Sequence, residues 1–206
     1  MRVILFLIAS FSLIFSYADA PPSPKKIIIL DAGHGGHDVG AKVRSMQEKK
    51  LALLTTLLTK KSLDAMGYKV ILTRSHDVYL SLQKRVAVAN KSNANVFVSI
   101  HYNASKNTDA KGVEVYYCNT EPAAKSKASS LLASSVLQNL VIMTDSISRG
   151  TKRAKFHVIR ETQMPSILIE AGFITNQEER DLLKTRAYIE KIAQGVAAGI
   201  DKYLKS

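Results

Sequence analysis

Two histidines and two glutamates stand where a hydrolytic metal site would need them. His34 follows the apolar run Lys26 to Asp31, His101 follows Val96 to Ile100, and Glu170 follows Ser166 to Ile169. In open α/β sheets the carboxyl ends of the strands form the ligand-binding crevice, so these groups are expected to meet in space. Hydrolytic zinc is held by three protein ligands, with the fourth position left to water. His34, His101 and one carboxylate would complete such a set. Glu48 is the carboxylate chosen, because it opens the helix that follows a glycine loop and can face a metal from the first turn. That position alone also has an ordinary explanation, since Glu in a first helical turn favours the macrodipole. Glu170 is assigned general acid/base chemistry, taking a proton from attacking water and returning it to the leaving nitrogen. The competing reading of Glu170 is structural, as an N-cap or an ion-pair partner of Arg160. His37 is a further donor close to His34. It is read as an exposed or supporting group, because a fourth protein ligand would close the catalytic position.

The elements that must position these groups alternate between strand and helix signals. Lys26 to Asp31 reads as a central strand, and Ala32-Gly33-His34-Gly35-Gly36 as a loop whose glycines permit positive φ. Leu51, Leu54, Leu58 and Ala65 mark one face of a helix from Glu48 to Met66, stopped by Gly67. Tyr68 to Thr73 is a strand. Ser81 caps a helix running to Lys91 with Leu82, Val86 and Ala89 on one side, and Val96 to Ile100 and Gly112 to Tyr117 are strands. Glu121 to Ile142 is a helix carrying Leu131, Leu132, Val136 and Leu140, and leads into a basic loop from Arg149 to Arg153. Strands are expected near Phe156 to Ile159 and at Ser166 to Ile169. A helical tail follows from Gln177, with Ile189, Ile192, Val196 and Ile200 packing inward. This order argues a three-layer α/β sandwich with a mostly parallel or mixed sheet of about six strands flanked by helices.

The 206 residues carry a formal charge of +12. Arg2, the apolar run Val3 to Phe15 and the small-residue stretch ending in Ala18-Asp19-Ala20 read as a secretory signal peptide over residues 1–20. The apolar run is shorter than the roughly 20 residues that span a bilayer. Cleavage after Ala18 competes with cleavage after Ala20, and an uncleaved anchor is the alternative to both. Residues 21–25 form a short tether, and residues 26–206 one catalytic domain of ordinary size. Export follows, to a periplasm, cell wall or extracellular space. There the basic chain would meet anionic wall polymers or membrane surfaces, and no nucleic-acid motif appears. Cys118 is the only cysteine and is read as a buried, inert thiol, so the fold rests on its hydrophobic core.

The motifs Ile29-Leu30-Asp31-Ala32-Gly33-His34-Gly35-Gly36, Glu48-Lys49, Ser99-Ile100-His101-Tyr102-Asn103-Ala104, Arg149-Gly150 and Ile169-Glu170-Ala171-Gly172-Phe173-Ile174-Thr175-Asn176 together resemble the zinc-dependent N-acetylmuramoyl-L-alanine amidases of the type 3 class. Leu72-Thr73-Arg74 and Arg160-Glu161-Thr162-Gln163-Met164-Pro165 match too, in the same order along the chain. The resemblance implies one zinc ion held by His34, Glu48 and His101, with Glu170 as the catalytic glutamate. It implies peptidoglycan as substrate, cut between the lactyl group of N-acetylmuramic acid and the first L-alanine of the stem peptide. Ala32 and Val39 stand where family members often carry proline, a departure that leaves every ligand in place. Some relatives insert a helix ahead of the Arg-Gly loop that covers the zinc until an activator displaces it. That interval here holds one helix of ordinary length, so the site is expected not to block itself; a protein activator is possible but not required by the sequence. A zinc peptidase acting inside the stem peptide and a non-catalytic wall binder are the rival readings.

Overall fold

A computed structural model describes residues 25–119 and 122–206; the expected signal peptide and nearly all of the tether lie outside these residues. Strand β1 (Ile27–Ala32) carries Ile28, Ile29 and Leu30 at 0% exposure, as a strand covered on both faces requires. It lies between β4 (Lys69–Leu72) and β5 (Val96–Asn103), and the sheet order is β4-β1-β5-β8-β6-β7. β4, β1, β5 and β8 (Ser166–Phe173) run parallel, β6 (Val113–Tyr117) runs against β8, and β7 (Ser148–Arg153) runs with β6. A two-stranded ribbon, β2 (Lys42–Val43) with β3 (Met46–Gln47), precedes the first helix. The mixed sheet of six strands is the one expected.

Helices α1 (Glu48–Ala65), α3 (Ala123–Thr144) and α6 (Arg186–Lys205) cover one face, and α2 (Leu82–Asn90) and α4 (His157–Glu161) the other. The short α5 (Gln177–Leu183) joins β8 to α6. Backbones of α3 and α6 approach closely because Gly199 is bare: a Cβ there would lie 2.5 Å from Val136 Cα. Ser81 caps α2 as read, its side chain accepting from Lys84 N. Cys118 is buried. Among the described residues, no helix is long and apolar enough to cross a membrane.

Four expectations are corrected. The segment read as a strand near Phe156 to Ile159 is the helix α4. Its β-branched and aromatic residues favour strand, but tertiary bonds decide otherwise: the buried Lys125 ammonium donates to the carbonyls of Ile159, Arg160 and Thr162, satisfying the groups a helix end leaves open. The sixth strand is instead β7, read as a basic loop. As an edge strand it needs no apolar alternation, and cations there discourage further strand pairing. Leu82, Leu131 and Ala65 face solvent, while Arg85 in α2 and Thr55, Thr59 and Leu63 in α1 are buried. The helical tail is broken after Leu183, and Thr185 caps α6 by accepting from Tyr188 N.

Arg85 is buried for a reason the apolar pattern conceals. Asp31, 1% exposed on β1, accepts from Arg85 Nη1 at 2.7 Å, Thr73 Oγ1 at 2.6 Å and Ser99 Oγ at 2.6 Å. Burial opposes ionisation of Asp31, but Arg85 and the two hydroxyls outweigh it and hold its pKa below the ordinary aspartate value. Breaking a buried pair leaves one charge uncompensated, so Arg85→Met should destabilise the fold by about 3–5 kcal/mol at pH 7. The folded-state pKa lies below the unfolded one, so Asp31 contributes fully above the unfolded value, and that contribution is lost as pH falls through the folded value. In Arg85→Met the unpaired carboxyl protonates more readily, and the deficit should shrink toward pH 3. Urea unfolding of both proteins across that range checks this; a deficit independent of pH would remove the Asp31 charge from the account.

Candidate metal centre

His34 leaves β1 in a left-handed conformation, φ 59°, on a loop clamped by two arginines. Arg74 donates to the carbonyls of Ala32, Gly33 and Lys49, and Arg85 Nη2 donates to His34 O at 2.6 Å. The loop bearing His34 and the first turn bearing Glu48 are therefore tied to the same guanidinium. Gly33 N donates to Ile100 O at 3.0 Å, bringing the loop against β5. Only glycine fits there, because a Cβ on residue 33 would lie 2.4 Å from the His101 ring.

His34, Glu48 and His101 converge as expected, their ligand atoms all within 4.8 Å of one another. Glu48 Oε1 lies 3.0 Å from His34 Nε2 and 2.8 Å from His101 Nδ1. Tyr102 N donates to the same oxygen at 3.2 Å, and Ala41 N to Oε2 at 2.8 Å. Burial opposes ionisation of Glu48, but the hydrogen bonds from His101 and His34 outweigh it and hold the carboxyl far below the usual range. His34 turns its other nitrogen, Nδ1, to both oxygens of Asp38 at 2.9 Å. A carboxylate behind a ligating imidazole fixes its tautomer and raises its basicity, leaving Nε2 for a cation. An ionised carboxylate between two imidazole nitrogens is the borderline donor set that suits zinc. His37 stands apart from this group, its ring packed on Tyr79 at 4.1 Å between centroids.

Glu170 sits beside the trio. The strand does not end at Ile169, as the sequence suggested, but continues to Phe173, and Glu170 pairs directly with His101 on β5. Its Oε2 is buried and has no hydrogen-bond partner among the described residues. Burial first, then the carboxylates of Glu48 and Glu114, push its pKa well above the ordinary glutamate value. The Arg160 alternative is not met, since Arg160 Nε pairs with Glu161 at 2.5 Å. A crevice of ≈ 560 Å³ opens over the four residues, with Tyr79, Leu82 and Phe156 on its walls. The arrangement can hold a divalent cation and present a proton-accepting carboxylate to whatever binds beside it.

Comparison with known proteins agrees with this geometry. The family model described as N-acetylmuramoyl-L-alanine amidase, Amidase_3, matches residues 28–202. The chain belongs to that family. It is 37% identical over 184 residues to the N-acetylmuramoyl-L-alanine amidase LytC of Bacillus subtilis, covering 89% of this chain but 36% of LytC. The solved catalytic domain of the amidase CwlV from Bacillus (Paenibacillus) polymyxa var. colistinus superposes with a TM-score of 0.81 at 38% identity, covering 87% of this chain and 98% of that one. The CwlD amidase of Clostridioides difficile, solved in complex with the GerS lipoprotein, gives 0.82 at 34% identity, covering 88% and 99%. The fold is thus the amidase catalytic domain.

Asp38, Arg74, Arg85 and Glu114 were missed by reasoning from the sequence. Asp38 had a usable signal, an acid four residues from a loop histidine, and Arg74 lay in the matching stretch Leu72-Thr73-Arg74; Arg85 and Glu114 had none, because their partners are backbone carbonyls or side chains on distant strands.

Proposed function

We propose that this amidase is a zinc-dependent hydrolase of peptidoglycan, cutting the amide between N-acetylmuramic acid and L-alanine in a single domain that begins near residue 26. The observation that carries the reading is the pairing of Glu170 with His101: a carboxylate whose buried Oε2 has no partner among the described residues, one strand from a His-Glu-His trio. His34, Glu48 and His101 would hold the ion. Zinc bound there supplies Lewis acidity, polarising a carbonyl and lowering the pKa of water at the site. Glu170 removes the proton of the attacking water as the C–O bond forms, and delivers it to the alanine nitrogen as the C–N bond breaks. Asp38 keeps the His34 ring oriented, and Arg74 and Arg85 hold the loop beneath it.

The signal-like N-terminus supports export, which brings the site to its substrate. The basic surface suits an anionic wall polymer or membrane, and no nucleic acid is required. Between β6 and β7 the described residues hold one helix, α3, which packs on α6 across the sheet from the crevice. This supports a site active without a displaced helix and without an obligatory activator. The test is digestion of purified peptidoglycan by the zinc-loaded protein alone, read by mass spectrometry. Intact stem peptides with free N-terminal alanine are expected. New termini inside the stem would replace this reading with a peptidase, and bound zinc without release would replace it with a wall binder or an enzyme awaiting its partner.

A further inference from the structure

The polar row across the sheet continues beyond the catalytic glutamate. Glu170 pairs with His101 on one side and with Glu114 of β6 on the other. Glu114 is 2% exposed and is fully engaged: Oε1 accepts from Asn103 Nδ2 at 2.7 Å and Tyr116 OH at 2.6 Å, and Oε2 from Arg149 Nε at 3.0 Å and from Lys152 Nζ. One carboxylate therefore faces two cations. The other carboxylate near Arg149, Glu179, is taken by the backbone N–H groups of Gly112 and Phe173.

A purely structural ion pair with Glu114 needs one cation, so the second is available to an anionic ligand. Both side chains keep about a third of their surface exposed, 35% for Arg149 and 38% for Lys152. Both are also held in place. The Arg149 guanidinium lies over the Phe173 ring at 4.9 Å, and Lys152 Nζ lies 5.9 Å from the Tyr116 ring, which meets the crevice wall at Phe156. A fixed, half-exposed pair of cations with a guanidinium fork is suited to a carboxylate.

We infer that Arg149 and Lys152 bind the α-carboxylate of the second stem-peptide residue and make the site selective for stems in which that group is free rather than amidated. The inference rests on the amidase reading above. In that reaction Glu170 protonates the leaving nitrogen, so the stem begins beside Glu170, and the inferred path runs from there toward Glu114, away from His34. In peptidoglycan the second residue is a glutamate joined onward through its side-chain carboxyl, leaving the α-carboxyl free or amidated. From β8 across β6 to β7 is two strand spacings, roughly 10 Å. L-Alanine and the next residue span roughly 7 Å when extended, and the long side chains of Arg149 and Lys152 close the difference.

The experiment compares kcat/KM of the zinc-loaded protein on two muropeptides that differ only in that α-carboxyl, acid against amide. The wild type should prefer the acid by about tenfold or more, the scale of a charge-assisted hydrogen bond. Lys152→Met, which leaves Arg149 to neutralise Glu114, should bring the ratio toward unity, chiefly by raising KM for the acid. Arg149→Lys should keep a preference where Arg149→Gln loses it. Equal cleavage of both muropeptides by the wild type, or preference for the amide, would overturn the subsite while leaving the amidase standing. Cleavage of neither, with zinc bound, would overturn the reading as an amidase that acts alone, and the subsite with it.

Discussion

Glu170→Gln should retain its zinc and lose about 10²- to 10⁴-fold in kcat, the range a positioned acid/base supplies. The substitution keeps the shape of the side chain and removes only its ability to accept and return a proton. It is also expected to raise, or at least not lower, the thermal midpoint of the metal-free protein. Glu170 Oε2 is buried with no partner among the described residues, and Glu48 and Glu114 both act against its charge. A group that destabilises the resting fold yet supports turnover shows opposite effects on the two measurements, whereas a structural carboxylate would lose stability and activity together. Metal content by elemental analysis, melting with chelator present, and turnover on a muropeptide make the three readings. Wild-type turnover in the variant would remove Glu170 from the chemistry.

The distribution of that destabilising charge explains how much could be read from the chain. Ile28-Ile29-Leu30 and Val96 to Ile100 are buried on both faces, so their pattern reported strands directly, and the groups just beyond them could be placed in one crevice. His34, His101 and Glu170 were legible for that reason. Glu48 was legible because its helix begins there, where its carboxylate meets His101 and Tyr102 of β5. What escaped was stabilised by contacts with no local signature. Helix α4 owes its carbonyl satisfaction to Lys125, more than thirty residues earlier. Among the described residues the edge strand β7 pairs only with β6, and it carries the cations that Glu114 gathers, so its sequence looks like a loop. Arg85 lies on a face that the apolar spacing of Leu82, Val86 and Ala89 assigned elsewhere, because its role is to meet Asp31 and the carbonyls of Ala32 and His34.

Glu48→Gln should do the reverse of Glu170→Gln: lower zinc affinity by more than about 100-fold, the upper end of what outer-shell changes cost, and lose activity as a consequence. The geometry leaves a glutamine no good orientation. Oε1 receives Tyr102 N–H and faces both imidazoles, and Oε2 receives Ala41 N–H, so the site demands an acceptor at both positions. With its carbonyl oxygen toward the imidazoles, a glutamine turns its NH₂ against Ala41 N–H. Turned over, it presents NH₂ to Tyr102 N–H and to the cation. Either way one buried donor loses its acceptor, at about 1–3 kcal/mol, and the trio loses its only negative charge. Competition against a zinc chelator gives the affinity, and saturating zinc should restore part of the turnover of Glu48→Gln but none of that of Glu170→Gln. If Glu48→Gln instead bound zinc as the wild type does and still failed to turn over, the third ligand would have to be sought elsewhere in the crevice and Glu48 moved to the chemistry.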